Sequence, residues 1–368
     1  MSSSPLHELS ALGQSVWIDN LSRASLRDGE LERMMRDDAV VGVTSNPTIF
    51  QKAMASGDAY DDQFREVIEH ETDPKEVFLK LALQDIRDAC DLLRTVWDEG
   101  NGRDGYVSME VDPNLAMQTG PTVAEALRIH KLVERPNLLV KIPATEPGLE
   151  AIEETISHGV PVNVTLIFSL DRYRAVAEAY IRGLERLVEG GGDPSTIASV
   201  ASFFISRVDS EADKRLDEIG GHDNLKGRLG IENAKLAYQA YKEIFSGERW
   251  DALKAKGATA QRCLWASTST KNPEYRDVMY VEQLIGPDTV NTMPDETVTA
   301  FQDHGKVAPT LEQGIDEANF VMESLKKAGI DYDDVTDTLE REGVQKFADS
   351  FKELLEGVEQ KRDAFVAA

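Results

Sequence analysis

Cysteine is nearly missing from this chain of 368 residues; only Cys90 and Cys263 occur. Two thiols cannot build a disulfide framework or a cysteine-rich zinc site. They suit a reducing compartment, so a cytoplasmic location is expected. No apolar run approaches the roughly 20 residues that a bilayer-crossing helix needs. The first residues, MSSSPLHELSALGQS, lack the basic start and apolar stretch of a secretory leader. Positive charge is scarce beside negative: 40 Lys and Arg against 66 Asp and Glu, a net charge of -26. A chain this acidic repels phosphate backbones and anionic membranes, so neither nucleic acid nor membrane is an expected partner. A small basic pocket for a phosphorylated metabolite is still allowed. No G-x-G-x-x-G follows a strand, and there is no Walker loop, H-E-x-x-H or G-x-S-x-G. The six histidines are scattered without ligand spacing. Dinucleotide, ATP and zinc chemistry therefore find no support, and no metal is expected.

What is present is an alternation. Short β-rich apolar runs occur at 15–19, 40–44, 106–111, 137–142, 162–168, 197–204, 262–267 and 288–292. Amphipathic stretches such as PTVAEALRIHKLVE separate them. Strand followed by helix implies parallel pairing with covering helices. Eight repeats suggest closure into a (β/α)8 TIM barrel. Extra helices are expected at the N-terminus, between the second and third strands (59–97) and at the C-terminus (309–366). No obvious linker interrupts the chain, since the one glycine run, at 190–192, reads as a helix stop. A single domain over 1–368 is the expectation.

Lys141 is the most informative residue. It lies within NLLVKIPAT, and an ammonium inside an apolar run is costly unless paired or neutralised. A neutral amine is a nucleophile toward carbonyls. Alternation puts Leu139 and Lys141 on one face, with Val140 and Ile142 on the other. Lys141 is also near the C-terminal end of its strand, where (β/α)8 barrels keep their reacting groups. A lysine snorkelling from a strand tip would look the same. Other strands end similarly. Asp19 closes the first. Glu110 and Asp112 share a face of the third. Asn163 and Thr165 share a face of the fifth, with Val162, Val164 and Leu166 opposite. Asn46 precedes Pro47, a common turn pair. Each alone reads as a cap, turn or core hydrogen bond; together they resemble a ring of active-site groups. Arg207 suits a phosphate, because its planar fork binds oxyanions bidentately, or an ordinary surface ion pair.

These residues fall in ordered segments. GVTSNPTIF (42–50), VSMEVDP (107–113), NLLVKIPATEPGLEAI (137–152), VNVTLIFS (162–169) and ASFFISRVD (201–209) resemble signatures of the transaldolase family. QSVWIDNLSR (14–23), WASTSTKNPEYRD (265–277) and DTVNTMP (288–294) are similar to its longer bacterial subfamily. The resemblance spans essentially the whole chain. It implies transfer of a dihydroxyacetone unit from sedoheptulose 7-phosphate or fructose 6-phosphate to glyceraldehyde 3-phosphate or erythrose 4-phosphate, in the non-oxidative pentose phosphate pathway. It implies no metal or organic cofactor, phosphorylated sugars as partners, and a monomer or homodimer. By the same resemblance Lys141 forms the imine and Asp19 is the acid/base for C–C cleavage. Glu110 acts through a water near Thr165. Asn46 and Asn163 bind hydroxyls of the three-carbon unit, with Thr44 and Phe204 also at the substrate. Ser202 and Arg207 match the phosphate-binding pair. Lys271 stands where an arginine is usual, in a run two residues longer. Two other readings compete. The related fructose 6-phosphate aldolases carry Gln where Glu110 stands and Tyr in the region of Phe204. A catalytically dead barrel would be expected to have lost at least one of Asp19, Asn46, Glu110, Lys141 and Thr165.

Overall fold

A computed structural model describes residues 4–367; residues 1–3 and 368, the ends of the expected 1–368 unit, lie outside it. Eight strands close a parallel barrel in sequence order. They are β1 Gln14–Ile18, β2 Val40–Thr44, β3 Tyr106–Glu110, β4 Leu138–Pro143, β5 Val162–Ile167, β6 Ser199–Phe204, β7 Arg262–Ala266 and β8 Thr289–Met293. Each falls within two residues of its expected bounds. The runs were legible because a barrel strand is covered on both faces, by helices outside and by side chains inside, so both faces are apolar. Val140, Ile142, Val162 and Val164 point outward into the layer under the helices. Trp17, Leu139, Val200, Leu264 and Val290 fill the interior. That filling dictates Gly42: a Cβ there would sit 2.5 Å from the Trp17 indole, so only glycine leaves the ring its place.

Strand β5 departs from simple alternation. Its pairing with β6 slips between Val164 and Ile167, and Leu166 adopts a left-handed φ of 60°. Ile167 thereby faces the helices, whereas Leu166 joins the interior cluster with Phe168 and Phe204. The expectation that Leu166 shares the face of Val162 and Val164 is corrected by this bulge. Asp112 likewise leaves the face of Glu110. It lies beyond β3, caps the short turn Pro113–Leu115 and pairs with Lys75 at 2.8 Å.

The extra helices stand where expected, and one further helix, Pro47–Ala55, precedes the 59–97 insertion. Pro5–Ala11 precedes β1. Helices Pro47–Ala55, Asp61–Ile68, Pro74–Leu92 and Arg94–Glu99 separate β2 from β3. Ile315–Ala328 and a long helix, Tyr332–Ala367, end the chain. The long helix packs against the helices between β2 and β3 through Phe50, Phe78 and Phe351, stacked edge-on with centroids 5.6 Å apart. It also crosses the C-terminal end of the barrel, where a Cβ on Gly343 would come within 2.9 Å of Leu166. Among the described residues no helix is long and apolar enough to cross a membrane.

Candidate active site

A cavity of about 550 Å³ opens at the C-terminal end of the barrel. Asp19, Thr44, Asn46, Lys141, Thr165, Ser202, Phe204, Arg207 and Lys271 all line it. Glu110 and the fully buried Asn163 are not part of this lining; strand register places them beside Lys141 instead. Glu110 pairs with Lys141 and Lys141 with Asn163, which sets three polar residues side by side on β3, β4 and β5. Lys141 is only 5% exposed. Its Nζ donates to the Ser45 carbonyl at 3.1 Å and lies 3.5 Å from Glu110 Oε2. Burial pushes the Glu110 carboxyl up to about 7, against the opposing pull of the Lys141 ammonium. Glu110 Oε2 and the buried Thr165 hydroxyl have no hydrogen-bond partner among the described residues. Unmet polar groups in an interior are costly and usually mark a site for water or ligand.

Asp19 follows β1, its backbone N–H tied to the Met293 carbonyl at 2.8 Å. The Thr44 hydroxyl donates to Asp19 Oδ1 at 2.7 Å and meets Thr292 Oγ1 at 2.7 Å. The carboxylate is thus held by the neighbouring strand while still facing the cavity. Asn46 does two things: its Oδ1 caps the helix Pro47–Ala55 by accepting from Ile49 N, and the residue lines the cavity. Ser202 donates to Asn163 Oδ1 at 2.7 Å, and Asn163 donates to Ser108 at 3.0 Å. The Ser202 proton therefore orients Asn163, while the residue itself lines the cavity. Phe204 packs on Phe168, centroids 5.1 Å apart, and carries the Arg207 guanidinium 4.9 Å above its ring. The Lys271 Nζ donates to Ser269 at 2.7 Å. The longer run leaves only a four-residue helix, Met279–Glu282, after it.

The profile of the family described as transaldolase/fructose-6-phosphate aldolase matches residues 16–358. The chain belongs to this family. A transaldolase of Frankia alni is 53% identical over 362 residues, 98% of either chain. One of Acidothermus cellulolyticus is 52% identical over 356 residues, 96% of either chain. One of Mycolicibacterium paratuberculosis is 50% identical over 360 residues, 97% of this chain and 96% of its own.

Sequence reasoning missed part of the cavity wall of this transaldolase-family chain. Thr292 in β8, Lys52 in the helix Pro47–Ala55, and Lys346 and Phe347 in the C-terminal helix all line it. Phe347 sits over the mouth, its ring centroid 5.9 Å from both Lys141 Nζ and Arg207 Cζ. For Thr292 a signal existed, a polar residue at the end of the eighth strand run. For Lys52, Lys346 and Phe347 there was none, because they look like any residues of amphipathic helices.

Proposed function

We propose that the protein is a transaldolase that moves a dihydroxyacetone unit between sugar phosphates through an imine on Lys141. The observation that carries this reading is a buried amine with a proton-holding carboxyl beside it and a second carboxylate, Asp19, just beyond another strand and lining the same cavity as the amine. The Lys141 amine attacks the ketose carbonyl to give a carbinolamine. Glu110, with a carboxyl poised near neutrality, delivers the proton that lets the hydroxyl leave as water. A carboxyl of that acidity suits general acid work at physiological pH. The resulting protonated imine is the electron sink. Asp19 then takes the proton of the C4 hydroxyl, the C3–C4 bond breaks, and its electron pair flows into the imine as an enamine. The aldose phosphate departs, an aldehyde acceptor enters, and the steps reverse.

Asn163 and Asn46 hold the hydroxyls of the three-carbon unit. Arg207 holds the phosphate, at the start of a helix, Ser206–Ile219, that has no side-chain cap. Such an N-terminus favours anions. The two cysteines are buried and unpaired, which suits a cytoplasmic enzyme. We read it as a monomer or homodimer acting in the non-oxidative pentose phosphate pathway.

The family also includes aldolases that release free dihydroxyacetone. Glu110 and the apolar Phe204 favour transfer, because an aromatic ring against the bound unit does not assist water in protonating the enamine. Borohydride trapping with fructose 6-phosphate tests the mechanism. An unphosphorylated three-carbon adduct on Lys141 is expected, and its absence from folded protein would remove the imine route. Omitting the acceptor tests the class: rapid release of dihydroxyacetone would make the protein an aldolase.

A further inference from the structure

Four cations meet at the mouth of the cavity: Lys52, Arg207, Lys271 and Lys346. They come from four separate segments. Arg207 is half-buried and the three lysines are exposed, so positive charge is graded outward from the imine lysine. The charges that act on Lys346 are those of Arg207, Lys271 and Lys52, all positive. In a chain with a net charge of -26, carboxylates are plentiful, yet among the described residues none pairs with Lys346. Crowded like charges are unfavourable unless an anion visits them.

The two outermost lysines are also held in place. The Thr48 hydroxyl donates to Ser350 Oγ at 2.8 Å, joining the helix Pro47–Ala55 to the C-terminal helix. Thr48 stands four residues before Lys52, and Ser350 four residues after Lys346. Residues four apart share a helix face, so this clasp turns both lysines toward the same opening. Arg207, in the first turn of the helix Ser206–Ile219, is half-buried whereas both lysines are exposed, so the anion sites lie at different depths.

The imine fixes the carbonyl carbon of every donor at Lys141. The terminal phosphate of a seven-carbon ketose must then lie one carbon farther out than that of a six-carbon ketose. A single guanidinium fork cannot serve both depths equally well. We propose that Lys52 and Lys346 form an outer phosphate seat, beyond Arg207, that lets the protein accept the longer of its two donors. The proposal rests on the transaldolase reading and adds the residues that set donor length.

The test is the double variant Lys52→Gln/Lys346→Gln. KM is measured for sedoheptulose 7-phosphate and for fructose 6-phosphate, with unphosphorylated glyceraldehyde as the common acceptor so that only the donor carries phosphate. KM for the seven-carbon donor should rise about tenfold and that for the six-carbon donor no more than about threefold, as expected for losing two exposed charges near one phosphate. An equal rise for both donors would mean a diffuse field and would overturn the seat, as would no rise for either. Borohydride trapping on the unaltered protein separates the failures. Trapped donor with no shift in preference removes only the outer seat, whereas no trapped donor removes the transaldolase reading and the seat with it.

Discussion

Two arginines at opposite ends of the barrel show how differently the molecule treats a buried charge. At the N-terminal end Arg262 donates to Ser15 at 2.8 Å, to the Arg103 carbonyl at 2.6 Å and to Asp104 at 3.0 Å. Asp104 is in turn held by Ser15 and Trp17. At the C-terminal end Arg207 stacks on Phe204 and Phe347 and is given no carboxylate or carbonyl among the described residues. Burial pushes its pKa down, and Asp19 and Glu110 act on it only at a distance. The first arginine has been spent on the fold. The second has been kept for something the chain does not contain. The same split separates Lys75, paired with Asp112 and Glu125, from Lys271 and Lys346.

The comparison breaks most severely at Lys141. Lys141→Ala removes the electron sink, and turnover should fall by at least about 10⁴-fold. Turnover within tenfold of the parent enzyme would show that this buried amine is structural after all. Glu110→Gln keeps the shape and loses the proton, so turnover should fall about 10²–10⁴-fold. It should also remove the limb near pH 7 from the profile of kcat/KM. Stability gives a second reading. The folded state holds a proton on Glu110 up to about pH 7, whereas an ordinary carboxyl gives it up near 4.5. Over that window the folded state binds more protons than the unfolded state, so Glu110 makes stability fall as pH rises. Glu110→Gln should flatten that slope in denaturant titrations. Asp209, also pushed up to about 7 by burial, bonds Tyr280 and Gly230. Asp209→Asn should therefore change the same slope while leaving the kinetic limb in place.

The two arginines can be separated directly. Arg207→Ala should lower kcat/KM for phosphorylated donors about 10²-fold and leave unphosphorylated analogues and the unfolding midpoint nearly unmoved. Arg262→Ala strands Asp104 and should cost about 3 kcal/mol of stability while sparing activity per folded molecule. Equal losses of activity in both variants would dissolve the distinction.

How much of this was legible depends on whether a residue's meaning is local. The strand VVGVT could be read because an apolar run covered on both faces has one interpretation. Lys141 could be read because a charge in such a run is anomalous whatever its surroundings. Leu166 was misplaced because alternation assumes an unbroken ladder, and nothing in VNVTLIF announces the slip. Lys52 and Lys346 were missed because a lysine on an amphipathic helix is ordinary until the fold brings four cations to one opening. For Ser202 only the three-dimensional pairing with Asn163 reveals where its proton goes.

The smallest effect concerns Thr44, which belongs to both categories. Its hydroxyl is satisfied like those at the barrel's N-terminal end, yet what it satisfies is Asp19, the carboxylate to which we assign C–C cleavage. Thr44→Val preserves the side-chain shape and deletes one charge-assisted hydrogen bond. Such a bond contributes on the order of 1.5 kcal/mol, which converts to about a tenfold slower step. The loss should fall on C–C cleavage alone, because Lys141 and Glu110 lie on other strands. Rapid-quench kinetics with borohydride would then show the imine forming at the parent rate and the aldose product appearing about ten times more slowly. If imine formation slows by the same factor, Thr44 supports the cavity as a whole. If neither step slows, Asp19 is positioned by its backbone bond to Met293, and its side-chain partner is incidental.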